Sequence, residues 1–154
     1  MLLKENEILL VEDNDADVEL TMLALRSENI CNQIHVVRDG AEALDFLFCK
    51  GKYGSRAGLP LPKLVLLDLK LPKIDGLEVL HRLKADPEMR GMPVVILTSS
   101  REEGDLVKSY QLGSNSYIQK PVDFSSFRET VKQLGLYWLV VNQVPEQRVT
   151  AGTT

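Results

Sequence analysis

The sequence predicts one doubly wound α/β domain, in which helices cover both faces of a parallel five-stranded sheet. Short β-type runs alternate along the chain with segments of helical periodicity, as in repeated β-α units joined by right-handed crossovers. Three of the runs are apolar at every position, which is typical of strands covered on both faces. The length of 154 residues suits one domain with a single hydrophobic core.

The predicted strands are short, and their composition indicates their places in the sheet. The continuously apolar runs are residues 8–11, 64–67 and 94–97. The runs at 33–37 and 116–118 contain polar residues. Because edge strands carry polar side chains more readily than central strands, we expect these two runs to form the edges.

Residues with helix-capping side chains precede the predicted helices. Asp39 and Glu42 have the spacing of a capping box, and Gly113 suits the position that follows a helix end. The five predicted helices begin near Asn14 or Asp15, Asp39, Gly76, Glu102, and Asp123 or Phe124.

Two segments depart from this regular pattern. Residues 51–62 read GKYGSRAGLPLP without periodicity, so they form either a loop with a function or a tolerated insertion. The fifth helix is predicted to extend to Val141, within a domain over residues 1–141, and a polar tail follows over 142–154. Because this helix is apolar nearly all round, either the tail or a second subunit must cover it.

Composition and charge exclude several classes of protein. The net charge of −4 argues against nucleic acid as a partner, since phosphate binding needs a concentrated positive surface. The longest apolar stretch, 136–141, is far shorter than the roughly 18 residues that span a bilayer, and no signal-peptide pattern is present. Cys31 and Cys49 are too isolated for a disulfide framework or a zinc site. We therefore expect a cytoplasmic protein without membrane or nucleic-acid partners.

Polar residues follow the predicted strands at the points where ligands collect in an open α/β sheet. The first strand ends in Glu12 and Asp13, the third in Asp68 and the fourth in Thr98, and Lys120 follows the fifth. If the strands are parallel, these side chains meet at one edge of the sheet. Each has an ordinary structural explanation alone, but their joint placement indicates a site.

The clustered carboxylates predict a bound divalent cation. Two like charges about 4 Å apart repel by roughly 4 kcal/mol at an effective dielectric constant of about 20, so Asp13 and Asp68 call for a counterion. Oxygen ligands favour Mg²⁺ or Mn²⁺ over zinc. Such an ion usually also binds phosphate oxygens, which Lys120 and Thr98 could contact. With no serine or cysteine nucleophile and accompanying base nearby, Asp68 is the candidate phosphoryl acceptor.

Four segments resemble motifs of the receiver domains of two-component response regulators, over about residues 5 to 135. The segments are LVEDN at 10–14, LLDLKLPKIDG at 66–76, LTSS at 97–100 and YIQKP at 117–121. The resemblance implies a flavodoxin-like sheet of strand order 2-1-3-4-5 and phosphorylation of Asp68 by a histidine kinase. It also implies a protein that promotes its own phosphorylation and dephosphorylation without turning over an external substrate.

The resemblance assigns further roles. Asp13, Asp68 and the backbone carbonyl of Lys70 would bind Mg²⁺, with Glu12 assisting, through a water molecule. Thr98 and Lys120 would contact the phosphoryl group. Thr98 and Tyr117 would act as the switch residues, and the Lys120–Pro121 peptide bond would be cis.

Finer details are similar to the stand-alone regulators of bacterial and cyanobacterial phytochrome kinases. These details are residues 12–17, 115–117 and 136–139, together with the long loop before the third strand. They imply a phytochrome-type histidine kinase as partner and a homodimer formed through the last helix and the C-terminal extension. The predicted interface residues are Phe127, Leu136, Tyr137, Trp138 and Val140.

Two other functions share parts of this pattern. A Mg²⁺-dependent phosphatase of the haloacid-dehalogenase type also uses a nucleophilic Asp, but it needs a second Asp two residues later, where this chain has Lys70. A flavodoxin-like FMN carrier needs a phosphate-binding loop after the first strand, where the acidic residues Glu12 and Asp13 would repel phosphate. The receiver function is therefore the leading hypothesis.

Overall fold

A computed structural model describes residues 7–26, 33–100, 102, 116–136 and 139. Within these residues, five parallel strands form one sheet in the order β2-β1-β3-β4-β5. This confirms the predicted fold class, the strand order and the two edge strands. The strands are β1 (Glu7–Val11), β2 (Gln33–Val37), β3 (Leu64–Asp68), β4 (Val94–Thr98) and β5 (Ser116–Gln119).

The register of the central strands aligns their carboxyl ends. Val11 lies opposite Leu67 in β3, and Asp68 lies opposite Leu97 in β4. The residues that follow β1, β3 and β4 therefore emerge at one edge of the sheet, as the sequence predicts.

The helices begin at the predicted caps. The described helices are α1 (Asp15–Arg26), α2 (Gly40–Phe48), α3 (Gly76–Ala85) and α4 (Phe124–Gln133), where α4 is the predicted fifth helix. Asn14 caps α1 by accepting the Asp17 N–H at 2.9 Å, and Asp39 caps α2 by accepting the Glu42 N–H at 2.7 Å. Of the predicted fourth helix, Glu102 is helical, and residues 103–115 lie outside the described part of the chain.

Helices pack on both faces of the sheet because every central strand buries both of its faces. On one face, Leu9 and Val11 of β1 belong to a core that includes side chains of α2 and α3. On the other face, Ile8 and Leu10 belong to a core that includes side chains of α1 and α4. The continuously apolar sequence of β1 follows from this double cover.

The last helix is shorter than predicted. Instead of continuing to Val141, α4 ends at Gln133, and Gly135 adopts a left-handed conformation with φ of 78°. The Gly135 N–H donates to the Lys132 carbonyl at 3.0 Å and the Leu136 N–H to the Val131 carbonyl at 2.7 Å. These two bonds form a Schellman motif, which satisfies the last carbonyls of the helix and turns the chain. The prediction of one extended helix was therefore wrong.

This turn also changes the predicted dimer surface. Phe127 is fully buried in the core of its own chain, so its side chain offers no surface to a partner, and its assignment to an interface is corrected. Leu136 is half-buried against the same core, and Leu139 is buried in it. The other predicted interface residues, Tyr137, Trp138 and Val140, lie outside the described residues.

The segment at 51–62 has more structure than its sequence indicates. It begins with a 3₁₀ helix, Gly51–Arg56, that contacts α2. The Tyr53 ring packs on Phe46 with 5.1 Å between centroids, and the Tyr53 hydroxyl donates to Glu42 at 2.6 Å. The Arg56 guanidinium lies 3.8 Å from the centroid of the Phe46 ring. These contacts anchor the first half of the segment to α2, and they leave open whether it is a loop with a function or a tolerated insertion.

None of the described helices has the length and apolar character that crossing a membrane requires.

Candidate functional site

Three acidic residues meet where β1 and β3 end. Oxygen atoms of Glu12, Asp13 and Asp68 all lie within 4.8 Å of one another, a spacing at which one cation could bind all three. Glu12 is fully buried and Asp68 is 5% exposed, whereas Asp13 is exposed. The predicted convergence of these residues is confirmed, and the site opens to solvent on the side of Asp13.

The Lys120 ammonium lies among the carboxylates. It contacts Glu12 Oε1 at 3.2 Å and Asp68 Oδ1 at 3.2 Å, and it donates to Asp17 Oδ2 at 3.0 Å. The backbone N–H of Lys120 donates to the Thr98 carbonyl at 2.7 Å, which fixes the start of this segment beside β4. The Lys120–Pro121 peptide bond is cis, as the resemblance implies.

Asp17 is a site residue that the sequence analysis missed. Its position in the first turn of α1 is usual for an acidic residue, because carboxylates are favourable near a helix N-terminus. The contact with Lys120 joins residues 103 positions apart. The available signal was the place of Asp17 in the first turn of the helix that follows Glu12 and Asp13, which keeps its carboxylate near the end of β1.

Burial and mutual repulsion change the acidity of these groups. Burial, together with the charge of Asp68, raises the pKa of Glu12 to about 7 from its usual 4.5. Burial also raises the pKa of Asp68, against the opposing effect of Lys120. Burial would lower the pKa of Lys120, but the carboxylates of Asp17, Asp68 and Glu12 outweigh it and raise that pKa above its usual value.

The charges of the site are unbalanced. The described residues gather four carboxylates here, of which Glu12, Asp17 and Asp68 contact the Lys120 ammonium, and Asp13 lies beside Glu12 and Asp68. Such an arrangement is costly unless protons or cations are bound, since each buried carboxylate repels the others. The oxygen donors of Glu12, Asp13 and Asp68 match the ligands that Mg²⁺ and Mn²⁺ prefer.

Thr98 places a hydroxyl at the end of β4, beside the strand that ends in Asp68. The residue is fully buried, and its Oγ1 has no hydrogen-bond partner among the described residues. Buried hydroxyls are nearly always paired, so an orphaned one next to an acidic site indicates a ligand oxygen that it could bind. Tyr117 is half-buried on β5, opposite Ile96 of β4.

The turn after Asp68 is held against α3 by a glycine. The Gly76 N–H donates to the Leu69 carbonyl at 2.9 Å, and a Cβ at position 76 would lie 2.2 Å from the Asp68 carbonyl oxygen. Any larger residue would therefore displace the backbone of Asp68. Lys70 is exposed in this turn, and the role of its carbonyl as a metal ligand stays a prediction.

Comparison with known proteins identifies the family. The profile described as "Response regulator receiver domain" matches residues 8–132. The chain is 43% identical to the probable methanogenesis regulatory protein FilR2 of Methanothrix harundinacea over 90% of this chain and 86% of that protein. It is 39% identical to the response regulator Rcp1 of Synechocystis over 90% of this chain and 92% of that protein.

Solved structures show the same fold. The bacteriophytochrome response regulator AtBRR is 52% identical, with a TM-score of 0.83 over 90% of this chain and 98% of that chain. The phosphorylated cyanobacterial phytochrome response regulator RcpA is 41% identical, with a TM-score of 0.70 over 92% of this chain and 99% of that chain. The Mn²⁺-bound form of Rcp1 is 38% identical, with a TM-score of 0.70 over 91% of this chain and 99% of that chain.

These likenesses cover nearly the whole of the described fold, including the strand ends that carry the acidic site. They give no support to the phosphatase alternative, for which position 70 already lacks the required acid. The chain belongs to the response regulator receiver domain family, and its relatives include stand-alone phytochrome response regulators.

Proposed function

We propose that Asp68 accepts the phosphoryl group. The observation that carries this assignment is the position of its carboxylate, which is 5% exposed, 3.2 Å from the Lys120 ammonium and within 4.8 Å of oxygens of Glu12 and Asp13. In the transfer, an Asp68 oxygen attacks the phosphorus of a phosphohistidine. The new P–O bond forms as the P–N bond breaks, and the imidazole leaves with the electron pair.

The residues of the acidic cluster fit a divalent cation. Asp13 and Asp68, with Glu12 and the carbonyl of Lys70, would hold Mg²⁺ or Mn²⁺. When bound, the ion would offset the negative charge of the carboxylates and of the incoming phosphoryl oxygens. The Mn²⁺-bound structure of the relative Rcp1 supports this assignment.

Lys120 and Thr98 would contact the transferred group. The Lys120 ammonium already contacts the Asp68 carboxylate. After transfer, it can donate a hydrogen bond to an oxygen of the phosphoryl group on Asp68. The buried Thr98 hydroxyl, which has no partner among the described residues, can donate to another phosphoryl oxygen. Movement of Thr98 would free space for the half-buried Tyr117 ring, and these two residues would carry the switch.

The partner we propose is a phytochrome-type histidine kinase in the cytoplasm. The similarity to AtBRR, RcpA and Rcp1 supports this class of kinase. The signal would leave through protein contacts, without nucleic acid or membrane, and through a homodimer formed by the C-terminal segment. Leu136 is half-buried, and we propose it as an interface residue together with Tyr137, Trp138 and Val140.

Incubation with acetyl phosphate and Mg²⁺ tests the acceptor. We expect the protein to gain the mass of one phosphoryl group, and we expect Asp68→Asn to lose this gain completely. Asp45→Asn removes an equal charge from an exposed position on α2 and should be phosphorylated normally. A phosphoryl group that persists in Asp68→Asn would refute the assignment, and intact-protein mass spectrometry measures it.

Phosphotransfer from purified kinases tests the partner. A phytochrome-type kinase labelled with ATP should transfer its phosphoryl group to this protein faster than kinases of other sensor types. Equal or slower transfer from the phytochrome-type kinase would contradict the proposed partner, and Asp68→Asn is the control for acceptance at the proposed site.

A further inference from the structure

We propose that Asp17 is a positioning residue that holds the Lys120 ammonium against the acceptor Asp68. The proposal rests on the proposed function, because the role of Asp17 is defined by phosphorylation of Asp68. It assigns a task to a residue that lies outside the three acidic residues that could share a cation.

The ammonium of Lys120 has three N–H groups, and three carboxylates of the described residues surround it. Of the three contacts, that to Asp17 is the shortest, at 3.0 Å, and those to Glu12 and Asp68 are each 3.2 Å. Lysine has a long, flexible stem, so one contact leaves its head mobile. Glu12 and Asp17 together fix two N–H groups and direct the third toward Asp68.

Asp17 itself is held in place. It lies in the first turn of α1, where its backbone N–H donates to the side chain of Asn14 at 2.9 Å. Its side chain is 28% exposed, while that of Lys120 is 14% exposed. Asp17 is therefore fixed on the first turn of a capped helix at the rim of the site. A carboxylate in this position is a suitable anchor for Lys120, which follows β5.

Asp17 acts through Lys120 and not through a metal ion. The oxygens of Glu12, Asp13 and Asp68 form the group that could share a cation, and Asp17 is not a member of that group among the described residues. When Asp68 gains a phosphoryl group, the third N–H can donate to a phosphoryl oxygen instead of the Asp68 carboxylate, while the bonds to Glu12 and Asp17 persist. The ammonium would be ready for the transferred group before it arrives, so no reorganisation is needed during transfer.

The test compares Asp17→Asn with Glu19→Gln, which removes an equal charge from an exposed position on the same helix. The initial rate of phosphorylation is measured against acetyl phosphate concentration at saturating Mg²⁺. We expect the maximal rate of Asp17→Asn to fall roughly tenfold, as for loss of a hydrogen bond to a charged group, with half-saturating acetyl phosphate changed less than about twofold. Glu19→Gln should behave as the wild type, and Asp17→Glu should recover part of the rate.

A second comparison separates positioning from general damage to the fold. Because Asp17 acts through Lys120, Asp17→Asn should have no further effect on the rate in a Lys120→Ala background. Multiplicative losses in the double variant would overturn the proposal. An unchanged or faster maximal rate in Asp17→Asn would also overturn it, since the carboxylate would then be idle or would restrain the lysine.

The proposed function and this inference fail in different ways. Phosphorylation that persists in Asp68→Asn refutes the acceptor assignment itself. Phosphorylation that depends on Asp68 but proceeds at a normal rate in Asp17→Asn leaves the acceptor intact and refutes only the positioning role.

Discussion

Two clusters of charged side chains lie at opposite ends of the sheet, and they differ in how well their charges are matched. At the amino end of β1, Glu7 contacts His35 at 3.2 Å and Arg56 at 3.4 Å, and Arg56 also stacks on Phe46. At the carboxyl end, the Lys120 ammonium contacts Glu12, Asp17 and Asp68, and the Asp13 carboxylate lies beside Glu12 and Asp68.

The balance of charge separates a structural cluster from a binding site. The amino-end cluster needs no ligand, because its carboxylate has cationic partners from its own chain and Arg56 is held by an aromatic ring. The carboxyl-end cluster keeps an excess of acid in a buried place, and it also has the orphaned Thr98 hydroxyl. The excess of negative charge distinguishes the two clusters, because an unpaired buried donor occurs in both, as Arg56 Nε at the amino end and Thr98 Oγ1 at the carboxyl end. Such an excess is stable only when protons or cations balance it.

Removal of Lys120 should reduce the free energy of unfolding more than any other change considered for the two clusters. Lys120→Ala leaves the carboxylates without that cation, and losing one partner of a buried ion pair typically costs about 3–5 kcal/mol of unfolding free energy. We expect a loss of this size near pH 7.5 in chelator, measured by urea denaturation. Millimolar Mg²⁺ should restore a large part of it, and a loss that Mg²⁺ leaves unchanged would argue against a cation site.

Mg²⁺ should stabilise the wild-type protein by a smaller amount. Binding to the folded state alone contributes about 2.7 kcal/mol when the free ion is at about 100 times its dissociation constant. Thermal melting with and without Mg²⁺ measures this effect. Asp13→Asn should reduce the shift, whereas Asp45→Asn on α2 should keep it; no shift in the wild type would contradict the proposed metal site.

The pH dependence of stability should reflect the protonation of the buried Glu12 carboxyl. Its pKa is about 7 in the folded protein and 4.5 when unperturbed, so folding takes up a proton between these values. Stability without a divalent cation should therefore decrease as pH rises from 4.5 to about 7 and level off above, by an amount on the order of 3 kcal/mol. Urea denaturation across this range measures it. Glu12→Gln should flatten the slope, and an unchanged slope would assign the effect to other groups.

Disruption of the amino-end cluster should reduce the free energy of unfolding least, and it should not affect the acidic site. Arg56→Ala loses the contacts with Phe46 and Glu7, which we expect to cost about 1–2 kcal/mol of unfolding free energy. Neither the shift produced by Mg²⁺ nor the rate of phosphorylation at Asp68 should change. A slower phosphorylation rate in this variant would show that the two ends of the sheet are coupled.

The site could be predicted from sequence because its residues follow strands. Once 8–11, 64–67 and 94–97 are recognised as parallel strands, the residues after them must meet at one edge, whatever the details of packing. Glu12, Asp13 and Asp68 meet at this edge, and Lys120, which follows the edge strand β5, contacts Asp68 there. Asp17 was not predicted, because its role depends on the rotation of α1 relative to Lys120, which only the packed helix determines.

Two features of the fold were not predicted, for different physical reasons. Gly135 signals the end of α4, since glycine is the preferred residue in the left-handed position after a helix, whereas the apolar periodicity beyond it favours a longer helix. The 3₁₀ helix at Gly51–Arg56 carried no local signal. It depends on Tyr53 and Arg56 packing on Phe46, which is a tertiary contact.

Gly76, which follows the turn after Asp68, makes the two sides of Asp68 different. On one side, Gly76 places the backbone of α3 against the Asp68 carbonyl, so this side has no room for a larger residue. On the other side, the Thr98 hydroxyl has no bond among the described residues to hold it back. The two sides of Asp68 therefore differ: a group added to its carboxylate could gain a hydrogen bond from Thr98, whereas position 76 has no room for a side chain.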